Sequence, residues 1–241
     1  MPSSDHEGPF AVDRDNPARE LRYVREDGPK LVFRPLRIDD AGRVKRAVAA
    51  SLPELQPFMP WAHLPNTLAG QVARLKQVEH DNITGRELQF GVHDEGEDEL
   101  RMLMGLHARV PLNPRGMEIG YWTVTRFAKR GLCTLGVQIL TVYAIDLLGC
   151  DRVQILTDEN NRASQRVAEK ANYALEARMR NITVRPEEEL VAKGFRGSPV
   201  TLVWAMVPEV LAQQPWAREV RSRLEVDDIL GRRLPGWPRA K

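Results

Sequence analysis

The sequence is poor in cysteine, with Cys133 and Cys150 as the only two in 241 residues. Such a pair is too sparse for the disulfide framework of a small secreted protein. The five histidines are scattered, and no Cys or His spacing typical of a metal site occurs. We therefore expect a cytoplasmic protein without a metal.

Long apolar runs are also missing, because none reaches the roughly 18 residues that a membrane-spanning helix needs. Residues 1–20 are polar and contain acids, which is not typical of a signal peptide. No charge sign dominates, since 35 Lys and Arg stand against 33 Asp and Glu. We expect no membrane association, and the net charge of +2 argues against nucleic acid as the main partner.

Hydrophobic residues make up 42% of the chain, which is enough for one sizeable core with tails. Residues 1–29 are rich in Pro, Gly, Asp and Arg and predict a flexible N-terminal arm. Residues 30–208 predict one folded domain. Residues 209–241 combine a helical pattern with many charges and two late prolines, and predict a C-terminal helix and tail.

Strand-like and helix-like patterns alternate along residues 30–208. Strands are predicted at 31–36, 88–93, 100–110, 117–124, 152–157, 173–184 and 200–207. Helices are predicted at 39–51, from Asn66 or Thr67 onward, at 131–148 and at 161–171. This order indicates a mixed α/β or α+β domain.

A basic turn follows the strand that ends near Val124. Lys129 and Arg130 precede Gly131, where a helix begins. A helix N-terminus presents free N–H groups, and glycine lets a ligand approach the backbone closely, so the segment is consistent with a phosphate or pyrophosphate site. An ordinary turn with solvated side chains would have the same pattern. The sequence does not fit a Walker loop or a Rossmann fingerprint.

Asn161 and Ser164 follow the strand predicted at 152–157. Asn161 is a good helix N-cap, with Ser164 in the first turn, and this structural role can coexist with a ligand contact.

Several short motifs together carry a family resemblance. In order and spacing, EIGYW at 118–122, RGLCT at 130–134, NRAS at 161–164 and VAEK at 167–170 resemble the Gcn5-related N-acetyltransferase (GNAT) family. The resemblance is to its RimJ/RimL-like branch of ribosomal-protein N-terminal acetyltransferases. PFMPW at 57–61 is similar to an aromatic loop of that branch.

The resemblance implies a mixed, mostly antiparallel twisted sheet of about seven strands, flanked by helices. Its fourth and fifth strands splay apart, and the pantetheine arm of acetyl-CoA lies in the gap. The coenzyme-binding residues that it implies are Trp122, Thr123, Val124, Lys129, Arg130, Gly131, Leu132, Cys133, Thr134, Asn161 and Ser164.

The resemblance also implies transfer of an acetyl group to a primary amine by direct attack. An amine with a pKa of about 10.4 must first lose a proton. Glu118 is the candidate base, because its strand borders the gap, although it could instead pair with a nearby Arg. Ser164 is the candidate acid for the leaving thiolate, and an ordinary capping-turn hydroxyl is its alternative role.

The acceptor side is less well defined by the sequence. Trp61 and Tyr121 are candidate acceptor-binding residues, and core packing is the alternative for Trp61. His63, His93 and His107 could each act as a base, but no pattern distinguishes them. Cys133 has no evident His partner, which argues against a nucleophile. The expected acceptor is a protein N-terminus or a small-molecule amine. The sequence does not decide whether the protein forms a homodimer.

Several positions depart from the family pattern, including Cys133 in place of Gly or Ala and Asn172-Tyr173 in place of a Gly-Phe pair, and three others bear on cofactor binding or activity. Ala128 stands where Gln or Arg is usual, Lys129 occupies a slot that is often Gly, and Ala168 leaves the slot of a Tyr acid without a hydroxyl. These departures leave open a GNAT-fold binding or regulatory protein with little turnover. An RNA-associated protein that uses the Arg-rich ends is a weaker alternative.

Overall fold

A computed structural model describes residues 12–13, 15–111, 113–183 and 186–235. The strands are β1 Glu20–Tyr23, β2 Leu31–Pro35, β3 Glu87–Asp94, β4 Met102–His107, β5 Gly116–Thr123, β6 Arg152–Asp158, β7 Ala174–Arg180, β8 Val200–Met206 and β9 Leu224–Asp227. The helices are α1 Ala41–Ala49, α2 Leu52–Leu55, α3 Leu68–Ile83, α4 Leu132–Val142, α5 Arg162–Lys170, α6 Glu188–Ala192, α7 Pro208–Leu211 and α8 Pro215–Arg223.

The strands of the described chain form one sheet in the order β7-β8-β6-β5-β4-β3-β2-β1-β9. Every ladder is antiparallel except the one between β5 and β6. Helices flank the sheet, which confirms the predicted mixed, mostly antiparallel fold. The sheet has nine strands, two more than the predicted seven or so, because β1 and β9 extend one edge.

Each face of the sheet carries its own core. The larger core lies under α4, whose Val137, Ile139 and Leu140 are fully buried against strand residues. The smaller core lies under α1 and α3, where Val44 and Leu75 pack with apolar side chains of the sheet. The predicted cap of α3 is confirmed, since Thr67 Oγ1 accepts a hydrogen bond from Gly70 N at 3.0 Å.

The sheet opens between β5 and β6. Their parallel ladder joins only Gly116–Glu118 to Arg152–Gln154. Beyond it, β5 pairs with β4 alone and β6 pairs with β8 alone. The predicted splay is therefore confirmed, and it falls between β5 and β6 because β1 precedes the strands that the sequence predicted.

The structure corrects two expectations about the chain ends. Glu20–Tyr23, expected within a flexible arm, forms β1, and Leu224–Asp227, expected within a helix and tail, forms β9. The two strands pair with each other, and β1 also pairs with β2. Strands this short carry too little alternation to be detected, and they gain stability from partners distant in sequence. Whether residues 30–208 fold without these ends stays a prediction.

Further contacts fix both ends to the core. Tyr143, fully buried at the end of α4, accepts a hydrogen bond from Ala18 N at 2.9 Å. Arg221 of α8 forms a two-point ion pair with Asp146, at 2.6 and 3.1 Å. Within the described chain, no helix has the length and apolar character required to cross a membrane.

Candidate active site at the splayed strands

Strand β5 divides the site, because successive side chains point to opposite faces of a sheet. Glu118, Gly120 and Trp122 face the α1 and α3 side, where they line a cavity. Ile119 faces the opposite side and packs in the core beneath α4. Residues of one strand thus reach both faces of the sheet beside the gap.

The turn between β5 and α4 has two residues in the left-handed region. Lys129 has φ +61° and Gly131 has φ +77°. Left-handed residues in a turn can direct backbone N–H groups toward one point, as in anion-binding concavities. A non-glycine residue at positive φ is strained, which would explain why the resembling sequences often have Gly at the position of Lys129. Backbone strain of this kind is frequent at functional sites.

The first turn of α4 is open to a ligand. Gly131 is its N-cap and provides no side-chain hydrogen bond to the first N–H groups. Apart from Gly131 itself, its chain neighbours and the backbone of its own helix, no heavy atom of the described residues lies within 4 Å of the position that a Gly131 Cβ would take. Lys129 and Arg130 are exposed beside it. The helix dipole, free N–H groups and two cations together make this turn favourable for an anion.

The backbone of β5 offers hydrogen bonds to the gap. Val124 N donates to Arg101 O at 2.9 Å, and Val124 O accepts from Phe127 N at 2.8 Å. Because N–H directions alternate along a strand, we infer that Trp122 faces β4 while Tyr121 and Thr123 face the gap. Among the three residues predicted to pair with pantetheine, Thr123 is thus the one with backbone groups directed there.

Tyr121 connects β5 to the start of α5. Its Oη lies 2.9 Å from Ser164 Oγ and donates to Ser164 O at 3.2 Å. Burial raises the pKa of Tyr121, so the phenol is neutral at physiological pH. Asn161 Oδ1 accepts from Ser164 N at 3.1 Å, which is the helix cap expected from the sequence. Two hydroxyls therefore lie together beside the gap.

On the other face of β5 lies a cavity of about 720 Å³. Its floor consists of β3, β4 and β5, and its walls come from α1, α3 and the segment that follows α2. Trp61 is 41% exposed, and its ring centroid lies 6.2 Å from that of Trp122. Trp61 thus lines the cavity, and its role as an acceptor-binding residue stays a prediction.

The middle of the cavity floor is formed by two paired glycines. Gly105 of β4 lies opposite Gly120 of β5, and the His107 ring covers both. A Cβ at Gly105 or Gly120 would lie 2.8 or 3.0 Å from His107 Nε2. The two glycines therefore provide the space that the imidazole occupies.

A row of ionisable side chains crosses the floor. In the strand register Glu87 lies opposite His107, and His107 lies opposite Glu118. His107 Nδ1 is 2.9 Å from Glu87 Oε2, and Arg109 Nη2 donates to Glu87 Oε1 at 2.6 Å. Burial favours a higher pKa for Glu87, but the hydrogen bonds and charges of His107 and Arg109 together lower it.

Glu118 is the carboxylate of this row nearest the gap. Burial raises the pKa of Glu118, and a hydrogen bond from Gln154 Nε2 to Glu118 Oε2 at 3.3 Å opposes part of that rise. A higher pKa makes the carboxylate a stronger base. The structure therefore gives the candidate base an environment that suits proton transfer.

Among the three histidines that the sequence left undistinguished, His107 is the one that lines the cavity. His63 Nε2 lies 2.9 Å from Gln56 O, and His93 Nδ1 lies 3.0 Å from Asp94 O. The glycines within β4 and β5 were the available signal, since a glycine inside a strand often marks a close approach.

Neither Cys133 nor Ala168 is suited to proton transfer. Burial raises the pKa of Cys133 to about 12, so the thiol is protonated at neutral pH and suits neither a nucleophile nor a base. Ala168 is fully buried in the larger core. Across the described residues, no group of His, Cys, Asp and Glu side chains could hold a metal ion.

A splayed sheet, an open helix start at the gap and a cavity lined by ionisable side chains on the other face of β5 together form a two-sided site. The acetyltransferase (GNAT) domain family matches residues 30–173, which is more than half of the chain. The chain therefore belongs to the GNAT acetyltransferase family, and the predicted family and its acetyltransferase class are confirmed. No curated protein matches the chain by sequence.

Solved structures share the fold at low identity. RimJ of Mycobacterium smegmatis in complex with CoA-disulfide is 18% identical, with a TM-score of 0.69 over 85% of this chain and 95% of that one. RimL, a ribosomal L7/L12 alpha-N-protein acetyltransferase in complex with coenzyme A, is 17% identical, with a TM-score of 0.64 over 78% and 99%. The microcin C7 self-immunity acetyltransferase MccE, with acetyl-CoA and AMP, is 15% identical, with a TM-score of 0.63 over 75% and 93%.

Proposed function

We propose that the protein transfers an acetyl group from acetyl-CoA to a primary amine by direct attack in a ternary complex. The proposal rests mainly on the position of the gap. The gap between β5 and β6 meets an anion-binding turn at one end and lies beside a cavity that contains Glu118. A thioester held in that gap would meet an amine that enters from the cavity.

The coenzyme side of the proposal uses the backbone. Thr123 would pair with the amides of pantetheine, and the N–H groups of residues 131–134 would bind the pyrophosphate, assisted by Lys129 and Arg130. RimJ, RimL and MccE, which share the fold, were solved with CoA or acetyl-CoA bound. Asn161 and Ser164 start α5 on the opposite side of the gap.

Glu118 takes the proton from the ammonium of the acceptor, directly or through one water. The amine nitrogen then attacks the thioester carbonyl carbon, and the carbon–sulfur bond breaks. The hydroxyls of Ser164 and Tyr121 hydrogen-bond the leaving thiolate and pass to it the surplus proton that the new amide nitrogen loses, so that both hydroxyls end the step protonated. This hydroxyl pair would replace the Tyr acid expected at the position of Ala168, because alanine has no hydroxyl.

A GNAT-fold binding protein with little turnover is the second candidate. The strained Lys129 and the methyl group of Ala168 favour it over a fully active enzyme. Coenzyme binding without consumption of acetyl groups would identify that case. A cytoplasmic location and a protein N-terminus or small amine as acceptor form part of the main proposal.

The test combines calorimetry with an assay of CoA release. We expect acetyl-CoA to bind, and a panel of N-terminal peptides and small amines to release CoA at a rate above that of buffer. Binding with no release over the whole panel would favour the binding protein. Failure to bind acetyl-CoA or CoA would overturn both candidates.

A further inference from the structure

The acceptor cavity contains a cation that the proposed reaction does not use. Arg74 of α3 lines the cavity over β3, on the side away from the gap. Its partners are amide oxygens, since Nε donates to Gln71 Oε1 at 3.3 Å and Nη1 donates to Gln89 Oε1 at 3.2 Å. No carboxylate of the described residues forms an ion pair with Arg74.

The second cation of the cavity is different, because Arg109 is already paired with Glu87 at 2.6 Å. Arg74 is exposed to the cavity, yet protein surrounds it closely enough for burial to lower the pKa of Arg74. A guanidinium stays charged despite such a shift. Its charge is therefore partly desolvated and is not neutralised by any carboxylate of the described residues.

Neutral amides hold Arg74 in place before any ligand arrives. Gln71 Nε2 donates to Asn66 Oδ1 at 3.1 Å, and Asn66 Nδ2 donates to Lys45 O at 2.9 Å. On the other side, Asn82 Oδ1 accepts from Gln89 N at 2.6 Å. Arginine has five N–H donors, and Nη2 of Arg74 donates to no group of the described residues. Its free edge suits a carboxylate or phosphate.

The charges at the two ends of the cavity are opposite. Glu118 lies on β5 and attracts an ammonium group, whereas Arg74 lies over Gln89 of β3 and attracts an anion. Gly105 and Gly120 join these ends across β4, in register with Gln89. On the sheet, Gln89 and Glu118 are separated by two strand spacings, about 10 Å, and by two residues along the strands, about 7 Å. The reach of both side chains must be subtracted from this separation.

We propose that the acceptor is an amine that also carries a carboxylate or phosphate a few ångströms from its nitrogen, and that Arg74 binds this anion. The inference rests on the proposed acetyl transfer and names its substrate class. The same chemistry occurs in small amino carboxylates and in peptide N-termini followed by an acidic side chain. An uncharged alkylamine or a polyamine would leave Arg74 without its counter-charge.

The test compares matched acceptors. Short ω-amino carboxylates of increasing length are assayed against n-alkylamines of the same length, and peptides with Asp or Glu at the second position against their Asn or Gln counterparts. We expect kcat/KM to favour the anionic member at least tenfold for one length or peptide. Arg74→Gln should reduce that ratio at least tenfold, whereas Arg218→Gln, at an exposed helical arginine outside the cavity, should keep it.

Equal kcat/KM values within every pair, or a preference that persists in Arg74→Gln, would overturn the inference while acetyl transfer itself stands. A second measurement does not depend on turnover. Binding of N-acetylated ω-amino carboxylates to the CoA-saturated protein is followed by calorimetry, with the N-acetylated alkylamines as the reference. Tighter binding of the carboxylates that is lost in Arg74→Gln supports the anion site, and equal binding of both series contradicts it.

Discussion

The two faces of β5 differ in how they are built. On the coenzyme side, the turn at 124–131 and the starts of α4 and α5 offer mainly backbone groups and short motifs. On the acceptor side, the cavity is built from side chains of α1, α3 and three strands. Backbone geometry can be shared by a whole family, whereas side chains can change from one member to the next.

This difference explains where the family resemblance was strong. The proposed coenzyme contacts lie in two compact motifs and use mainly backbone groups. The acceptor recognition that we propose would depend on Arg74, His107 and Glu118, which are far apart in sequence, and strand register brings His107 and Glu118 together. The comparison predicts that variants on the two sides of β5 will have separable effects.

The largest effect is expected from Glu118→Gln on the acceptor side. The variant keeps the shape but removes the base, so turnover should fall about a hundredfold while acetyl-CoA affinity is unchanged. Because burial raises the pKa of Glu118, kcat/KM of the parent should fall as the pH drops through that raised pKa and the carboxyl group becomes protonated. The variant should lack this acidic limb.

A matched control is Glu209→Gln, which changes an exposed glutamate of α7 outside both sides of β5. It should keep the turnover and pH profile of the parent. Turnover of Glu118→Gln equal to that of the parent at every pH would assign Glu118 a structural role, and its proton-accepting function would pass to another group or to bulk water.

A smaller effect is expected on the coenzyme side from Gly131→Asp compared with Gly131→Asn. Both side chains tolerate positive φ better than most, and both enter open space. Only Asp adds a negative charge next to the pyrophosphate, which should weaken acetyl-CoA binding by about 1–2 kcal/mol, or roughly tenfold. Calorimetry at low and high salt should show the difference shrinking as salt rises.

Equal affinity of the two Gly131 variants would mean that the pyrophosphate lies elsewhere. The rate of acetyl transfer at saturating acetyl-CoA should change little in either variant. A fall in that rate comparable to the loss in affinity would show that the two sides of β5 are coupled.

The smallest effect is expected from Gly120→Ala. The added methyl group would lie 3.0 Å from His107 Nε2 and force the imidazole to move by a few tenths of an ångström. We expect kcat/KM for the acceptor to fall a few-fold, with acetyl-CoA affinity unchanged. Gly42→Ala is a suitable control, since its methyl group meets Arg46 at an ordinary 3.6 Å. A loss of coenzyme affinity in Gly120→Ala would contradict the separation of β5 into a coenzyme side and an acceptor side.

The local structure on the coenzyme side could be predicted from sequence because each of its features lies within a short segment. Gly131 and Asn161 were identified from local rules for turns and caps, and the order of strands and helices followed from periodicity. The row of Glu87, His107 and Glu118 could not be predicted. It requires the exact pairing of three strands, and a shift of one residue would send all three side chains to the opposite face.

The chain ends were missed for a related reason. β1 and β9 have four residues each, and their pairing partners lie about 200 positions apart in the sequence. Leu21 and Val226 are fully buried, yet charged neighbours hide their alternation. Local propensity gives little information on a strand that is stabilised mainly by such a distant partner.

The pairing of β1 with β9 has a practical consequence for handling this protein. Glu20 lies opposite Asp227, so both ends of the described chain leave the sheet at one edge. That edge is five strand spacings from β5, about 24 Å. A short linker that joins the chain at Glu20 and Asp227 would therefore lie far from the gap, and the closed ring could be reopened at a surface loop to give a circular permutant.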